Sequence, residues 1–203
     1  MAQPPSSAQP VPGGPRAASE PQGRVVLDDP AIRRALVRIA HEVLERNEDP
    51  GRLYLVAIPN GGVPLARQLA ANLLEISGHE LPVGVLDTTL YRDDLSTRGE
   101  RPRLRHTEMP SAVDDKIVVL VDDVASTGRT IRAAMDALMD FGRPRAVQVV
   151  ALIDRGHREL PIRVDYVGRN IPTSPAEKIV LRGREGTLEA PLEVRVEAMG
   201  GKS

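Results

Sequence analysis

Short apolar runs alternate with amphipathic stretches along most of the chain. Four runs rich in Val, Leu, Ile or Ala predict β-strands, at residues 54–58, 82–90, 117–121 and 146–153. Three stretches that repeat apolar side chains at helical spacing predict α-helices, at residues 28–47, 63–76 and 129–141. Apolar strands that alternate with helices are typical of a parallel sheet with helices on both faces. The pattern therefore predicts an α/β fold.

The beginning of the chain has a different composition from the rest. Residues 1–24 are crowded with Pro, Gly, Ser and Gln and contain no apolar run, which predicts a disordered tail. The remaining residues, 25–203, are enough for one domain of ordinary size. No later stretch approaches the ~18 continuous apolar residues of a membrane span, so we expect a cytoplasmic protein.

Charge and cysteine content exclude several classes of function. The 203 residues include 27 basic and 28 acidic side chains, a formal net charge of -1, so attraction to nucleic acid requires a local patch. The absence of cysteine excludes disulfides, thiolate metal sites and cysteine nucleophiles. The spacing of the four histidines matches no metal-ligand motif, so the sequence predicts no metal site formed by the protein alone.

The strand predicted at residues 117–121 ends at two adjacent acids, Asp122 and Asp123. Ligands of open parallel sheets bind beyond the carboxyl ends of the strands. The following residues, 125–130, offer backbone N–H groups, three hydroxyls, a flexible glycine and a helix N-terminus, which together favour a phosphate. The acids would repel that phosphate but could accept hydrogen bonds from ribose hydroxyls or help to hold a divalent cation. One loop therefore suits both ends of a ribose 5-phosphate.

A simpler interpretation is that Asp123 or Ser126 caps the helix and that the other acid is solvated. A cap needs one side chain, whereas this stretch supplies two acids and three hydroxyls around a glycine. The G-x-x-x-x-G-K-[ST] pattern of a Walker loop is missing. Phosphate binding is therefore the favoured hypothesis, with capping as its alternative.

Residues 118–130, VVLVDDVASTGRT, resemble the ribose-phosphate fingerprint of type I phosphoribosyltransferases. Other segments, among them DTTLYRDDLS and DRGHRELPIR, resemble members of that family that are both uracil phosphoribosyltransferases and regulators of pyrimidine operons. The resemblance spans about residues 25–178. It implies the type I phosphoribosyltransferase fold, a parallel sheet flanked by helices with a flexible hood loop, which we expect at residues 91–108.

The resemblance also implies a reaction in which uracil and 5-phosphoribosyl pyrophosphate (PRPP) give uridine monophosphate (UMP) and pyrophosphate, with Mg2+ bound through PRPP. The implied catalytic residues are Asp122, Asp123 and Arg98. The implied ligands of the 5-phosphate are Ala125, Ser126, Thr127, Gly128, Arg129 and Thr130. The pyrophosphate is expected at Pro59, Asn60, Gly61 and Gly62, and the base at Arg155 and Val167.

The chain departs from the family in the pyrophosphate turn. The family usually has Thr-Arg-Gly where this chain has Asn60-Gly61-Gly62, so a guanidinium that could grip phosphate with two hydrogen bonds is missing. The family's usual Leu-Tyr within the phosphate loop is Ala125-Ser126 here, which is a mild change. An alternative function is therefore a nucleotide sensor that keeps the pocket and has impaired catalysis.

A second implied function is regulation of transcription by attenuation, through binding of a pyrimidine-operon messenger leader controlled by UMP or UTP. The residues expected to carry it are Arg38, His41, His157, Arg158, Arg163 and Arg169. Solvated side chains or ion pairs across a subunit interface would explain the same basic residues. The family often has Thr at Val37, so a salvage enzyme without RNA function is a further alternative. The resemblance also implies a homo-oligomer, a dimer or a tetramer.

Overall fold

The computed structural model describes residues 23–59, 61–93, 107–183 and 189–199. Most of the tail predicted at residues 1–24 lies outside these ranges, but Arg24 belongs to the first strand. The helices are α1 (Asp29–Arg46), α2 (Gly62–Ser77) and α3 (Arg129–Leu138). The strands are β1 (Arg24–Leu27), β2 (Leu53–Ala57), β3 (Val83–Val85), β4 (Ile117–Ala125), β5 (Ala146–Asp154), β6 (Tyr166–Asn170), β7 (Glu177–Arg182) and β8 (Glu193–Ala198).

The described residues form a five-stranded parallel sheet in the order β3-β2-β4-β5-β6. Alternate residues of the central strand β4 face opposite layers. Val119 and Val121 pack with α1 and α2 on one face, whereas Val118 and Leu120 pack with α3 on the other. The α/β prediction is thus confirmed, and the sheet is covered on both faces, as the uninterrupted apolar strands indicated.

Two strand predictions need correction. The prediction ended β4 at Val121, whereas the strand continues to Ala125, so that both acids lie within it. The reason is tertiary, because β5 continues to Asp154 and pairs with β4 past the acids, with Val124 opposite Ile153. The strand predicted at 82–90 is shorter, since β3 covers only three residues and residues 89–91 form a 3-10 turn.

A smaller antiparallel sheet, in the order β1-β8-β7, was not predicted. Its strands are short or half-exposed, and β1 pairs with β8 from the other end of the chain, which no local pattern indicates. Leu181 and Val194 of this sheet share a core with α1, and Ile179 packs against the same core as Val124. The small sheet therefore lies beside the carboxyl end of β4.

Among the helices that the structure describes, none combines the length and the apolar character needed to cross a bilayer.

Gly62 gives a first prediction, because α2 begins in close contact with β4. A Cβ atom at Gly62 would lie 2.3 Å from the carbonyl oxygen of Val121. We expect Gly62→Ala to lower the free energy of unfolding in urea by about 1–3 kcal/mol, the usual cost of overpacking. Gly51→Ala is the control, since its Cβ would meet only the exposed Asp49 carboxylate, at 3.2 Å. Equal stability of the two variants would contradict this account of the contact.

Candidate functional site

The acid pair lies on β4, close to the carboxyl end of this strand. The Asp122 side chain is 5% exposed, and Asp123 is partly buried. Each carboxylate accepts a hydrogen bond from the next backbone N–H group: Asp123 N to Asp122 Oδ1 at 2.9 Å, and Val124 N to Asp123 Oδ1 at 3.0 Å. The strand itself thus orients both carboxylates.

Burial changes the protonation of this pair. Burial, and then the neighbouring Asp123 carboxylate, raise the pKa of Asp122 well above its ordinary value, although the charge of Arg92 opposes the shift. Burial also raises the pKa of Asp123, against the hydrogen bonds that its carboxylate accepts. Two buried carboxylates with raised pKa values are stabilised by any ligand that brings hydroxyl donors or a cation between them.

The predicted phosphate loop joins β4 to α3. Gly128 has φ of +92°, a left-handed conformation that favours glycine, and its carbonyl oxygen accepts from Arg132 N at 2.9 Å, which starts the helix. The residue at the N-cap position, Gly128, provides no side-chain cap, and neither Asp123 nor Ser126 caps the first turn of α3. The capping alternative is therefore wrong, and the end of the helix remains available to an anion.

The loop carbonyls are all bonded to the protein. The carbonyl oxygen of Ala125 accepts from Arg155 N at 2.9 Å, that of Ser126 from Arg158 Nη1 at 2.6 Å, and that of Thr127 from Glu159 N at 3.0 Å and Leu160 N at 3.1 Å. The C=O and N–H groups of one trans peptide point in opposite directions. Each bonded carbonyl therefore fixes the N–H group of the following residue so that it faces away from the protein donor that binds the carbonyl.

The N–H groups on the other side of the loop are unbonded. Within the described ranges, those of Ser126, Thr127 and Gly128 have no hydrogen-bond acceptor. Consecutive unbonded N–H groups beside a helix N-terminus form a concavity that binds anions. The arrangement suits a phosphate held by main-chain donors.

The side chain of Arg129, predicted as a phosphate ligand, is bonded elsewhere. Its guanidinium donates to Asp93 Oδ2 at 2.6 Å and Glu159 Oε2 at 2.8 Å, while its backbone N–H donates to Thr127 Oγ1 at 3.3 Å. Glu159 was not predicted as a neighbour of this loop, because no spacing in the sequence connects it with Arg129. The remaining predicted ligand, Thr130, lies in the first turn of α3.

The turn after β2 lies directly against the acid pair. Asn60 is outside the described residues, but Gly61 is buried and packs against Asp123, so that a Cβ atom there would lie 2.3 Å from Asp123 Oδ2. Ile58 N donates to Val121 O at 2.9 Å and joins the same turn to β4. The structure thus brings the predicted pyrophosphate turn and the predicted ribose ligands together.

Most of the predicted hood, including Arg98, also lies outside the described residues. Its two ends are attached to the body of the domain. Tyr91 donates through its hydroxyl to Asp140 and accepts at its carbonyl oxygen from Arg132 Nη2 at 2.9 Å. At the other end, Glu108 and Val85 exchange two backbone hydrogen bonds of 2.8 Å.

The predicted base ligands do not converge through their side chains. Arg155 donates to Thr173 Oγ1 at 2.7 Å and to the carbonyl oxygen of Glu177 at 2.8 Å, so its guanidinium orders the chain before β7. Val167 lies on β6, opposite Ala151 of β5. Base binding at Arg155 and Val167 stays a prediction.

The residues predicted to bind RNA fall into two groups. Four donate mainly to protein carbonyl oxygens: Arg38 to Val167 and Gly168, His157 to Thr173, Arg158 to Ser126 and Ile162, and Arg169 to Val26. The other two, His41 and Arg163, are exposed and have no side-chain partner among the described residues. Arg38 and the 2.6 Å ion pair between Arg46 and Asp165 hold α1 along residues 165–168.

The fold and the loop together define a phosphoribosyltransferase. The sequence model of the phosphoribosyl transferase domain matches residues 24–181, and the chain belongs to this family. Curated relatives include the bifunctional protein PyrR of Pelotomaculum thermopropionicum, which is 59% identical over 160 residues, 79% of this chain and 88% of that protein. The bifunctional protein PyrR of Bacillus velezensis is 53% identical over 163 residues, 79% of this chain and 90% of its own.

Solved structures with the same fold include two hypoxanthine phosphoribosyltransferases. The Staphylococcus aureus protein has a TM-score of 0.63 and 20% identity, over 85% of this chain and 90% of its own. The Trypanosoma cruzi protein, in a ternary complex with substrates, has a TM-score of 0.66 and 18% identity, over 86% of this chain and 95% of its own. These similarities confirm the type I phosphoribosyltransferase fold.

Asp122→Asn tests the cost of burying the acid. Because the folded-state pKa of Asp122 is raised, the wild type loses stability as the pH rises from about 4, the ordinary carboxyl pKa, towards the raised value. We expect Asn to be more stable than Asp at pH 7, with the difference in the free energy of unfolding vanishing near pH 4. Urea unfolding across this range measures it.

Asp136→Asn is the matched control, because Asp136 is an exposed aspartate on α3 that pairs with Arg132. It should show no growing gain in stability between pH 4 and pH 7. A pH-independent difference for Asp122→Asn, or a loss of stability at pH 7, would contradict the inferred electrostatic cost.

Proposed function

We propose that the protein transfers the 5-phosphoribosyl group of PRPP to uracil, and that it also binds a pyrimidine-operon messenger leader under the control of uridine nucleotides. The observation that carries the first part is the loop at residues 125–128 beside a buried acid pair. Its carbonyls are bonded, and the N–H groups of residues 126–128 have no acceptor within the described ranges. The bifunctional PyrR relatives, up to 59% identical among those named above, support both parts.

In the proposed reaction, the loop N–H groups hold the 5-phosphate, and Asp122 and Asp123 accept hydrogen bonds from the ribose hydroxyls. The bond between the anomeric carbon and the pyrophosphate oxygen breaks, and its electron pair leaves with the pyrophosphate. A uracil nitrogen bonds to that carbon, and the proton of that nitrogen passes to the departing pyrophosphate or to solvent water. Positive charge develops on the ribose ring during this displacement. The carboxylates are already oriented by β4, so they can stabilise that charge without reorganising.

The acid pair also fits the Mg2+ that accompanies PRPP. In the described part of the chain, no three His, Asp or Glu side chains converge on one point, so these residues form no complete cage for a metal ion. Mg2+ usually takes one or two carboxylates and fills its coordination with substrate oxygens and water. Asp122 and Asp123 are the residues that would face the ion. When bound, it neutralises charge on the departing pyrophosphate.

The pyrophosphate turn works differently from the usual Thr-Arg-Gly of the family. A side chain at position 61 would collide with Asp123 in this conformation, so the turn approaches the acid pair through its backbone. Pro59 has no N–H, and Gly62 N donates to Ile58 O at 3.1 Å. Among the described residues of the turn, the N–H of Gly61 is thus the main-chain donor that can be offered to pyrophosphate. The alternative of a sensor without turnover rests on the missing guanidinium, whereas the bifunctional relatives favour an enzyme.

For RNA, the exposed side of α1 and the neighbouring residues 163–169 form the proposed surface. His41 and Arg163 are exposed there, and Val37 is 43% exposed on the same helix. Attraction to RNA phosphates falls off over about a Debye length, so a local basic patch suffices despite a net charge of -1. We also expect a homo-oligomer, and a cytoplasmic location because PRPP, uridine nucleotides and messenger RNA are present there.

The enzyme proposal predicts UMP formation from uracil, PRPP and Mg2+, with uracil preferred over orotate and hypoxanthine. Asp123→Asn should lose PRPP binding while keeping its fold, whereas Asp136→Asn, on the exposed side of α3, should keep activity. Radiolabelled uracil incorporation and calorimetric titration with PRPP measure these outcomes. No turnover with intact PRPP binding would favour the sensor, and wild-type PRPP affinity in Asp123→Asn would refute the assigned role of the acid.

The RNA proposal predicts that Arg163→Ala weakens binding of the leader and lowers the salt dependence of log K by roughly one unit, as expected for the loss of about one phosphate contact. Gel-shift titrations at several salt concentrations measure both. Arg143→Ala is the control, because Arg143 is exposed before β5, near the start of that strand. UMP and RNA should change each other's affinity by the same factor. No binding at low salt, with or without UMP, would refute RNA regulation.

A further inference from the structure

We propose that Arg158 is a positioning residue that holds the phosphate loop in its anion-binding conformation. The inference rests on the proposed function, because it concerns the same nucleotide site. In this proposal Arg158 lies on the side of the loop opposite to the phosphate, whereas the family resemblance implied that this residue binds RNA.

The guanidinium of Arg158 joins three parts of the fold. Nη1 donates to Ser126 O at 2.6 Å, Nη2 to Asp154 Oδ2 at 2.7 Å, and Nε to Ile162 O at 2.9 Å. The side chain is 22% exposed, and each of its nitrogens is bonded to the protein. It is therefore committed to the loop, the end of β5 and the chain before β6, and does not point towards a ligand.

The bond to Ser126 has a direct consequence for the site. Fixing the direction of the Ser126 carbonyl also fixes the N–H of Thr127, which belongs to the same planar peptide group and points the opposite way. That N–H lies in the middle of the three unbonded donors. Of the bonds to the carbonyls of residues 125–128, the one from Arg158 comes from a side chain, and the others come from main-chain N–H groups. Substitution of Arg158 can therefore free the Ser126 carbonyl and, with it, the N–H group of Thr127.

The planar fork of the guanidinium matters as much as its charge. A lysine at this position would supply one ammonium group and could not reach three acceptors arranged around a plane. Asp154 supports the fork, since its Oδ2 accepts from Arg158, while its Oδ1 accepts from Gly156 N at 2.9 Å. Loss of either side chain should therefore affect the same peptide group of the loop.

Arg158→Ala, Arg158→Lys and Asp154→Asn form the test. Titration calorimetry should show that Arg158→Ala raises the Kd for UMP and for PRPP about tenfold to hundredfold, the usual effect of losing hydrogen bonds to a charged group. The KM for uracil should change far less, because the base is expected at Arg155 and Val167, outside this loop. Arg158→Lys and Asp154→Asn should give intermediate losses. Ethylguanidine in solution should restore UMP binding to Arg158→Ala and leave the wild type unchanged.

Leader RNA separates positioning from direct contact. A positioning role predicts that Arg158→Ala loses the UMP-dependent gain in RNA affinity and keeps the affinity measured without nucleotide. An equal loss with and without UMP would indicate that Arg158 touches RNA, which would overturn the proposal.

Arg145→Ala is the control, because Arg145 is exposed before β5, at the end of that strand opposite to Asp154. UMP affinity within twofold of wild type in Arg158→Ala would overturn the inference. If that variant does not fold, Asp154→Asn and Arg158→Lys decide by the same criterion. A wild-type protein that binds neither UMP nor PRPP would instead refute the proposed function.

Discussion

The site depends on one constraint, the direction of four consecutive peptide groups in the loop at residues 125–128. Each carbonyl accepts a hydrogen bond from the protein, through donors in α3 or in residues 155–160. Since the peptide groups are planar, these bonds present the following N–H groups to the opposite side. The proposed phosphate site therefore has a conformation that exists before any ligand arrives, which would lower the entropic cost of binding.

Burial of the acid pair lowers the stability of the fold in the same region as the proposed site. Burial of Asp122 and Asp123 raises the pKa of both carboxyl groups, so ionisation of the pair opposes folding in the ligand-free protein. The neighbouring glycines, Gly61 and Gly62, let the turn after β2 approach the acids and Val121 more closely than any side chain would permit. In the proposed function, ligand hydroxyls or a cation would offset this cost and so couple the stability of the fold to binding.

The number of basic side chains in the sequence does not predict which groups they bind. Arg38, Arg155 and Arg158 donate to carbonyl oxygens of β6, of the start of β7 and of the phosphate loop, respectively, and so help to order these segments. His41 and Arg163 are the members of the predicted RNA-binding set that have no side-chain partner among the described residues. The partners of a guanidinium depend on chain segments far apart in sequence, so a motif such as DRGHRELPIR indicates where cations are but not what they bind.

The sequence by itself determined the parallel α/β sheet, the positions of its helices, and the place of the acid pair and the predicted phosphate loop between a buried strand and a helix. These features follow from local periodicity and from residue types with few structural alternatives, such as Gly128 in a left-handed turn. Only the tertiary structure decided the extension of β4 through Asp123, the small sheet that joins Val25 to Arg195, and the position of Arg158 behind the loop. Each of these depends on hydrogen bonds between distant segments, which leave no periodic pattern in the chain.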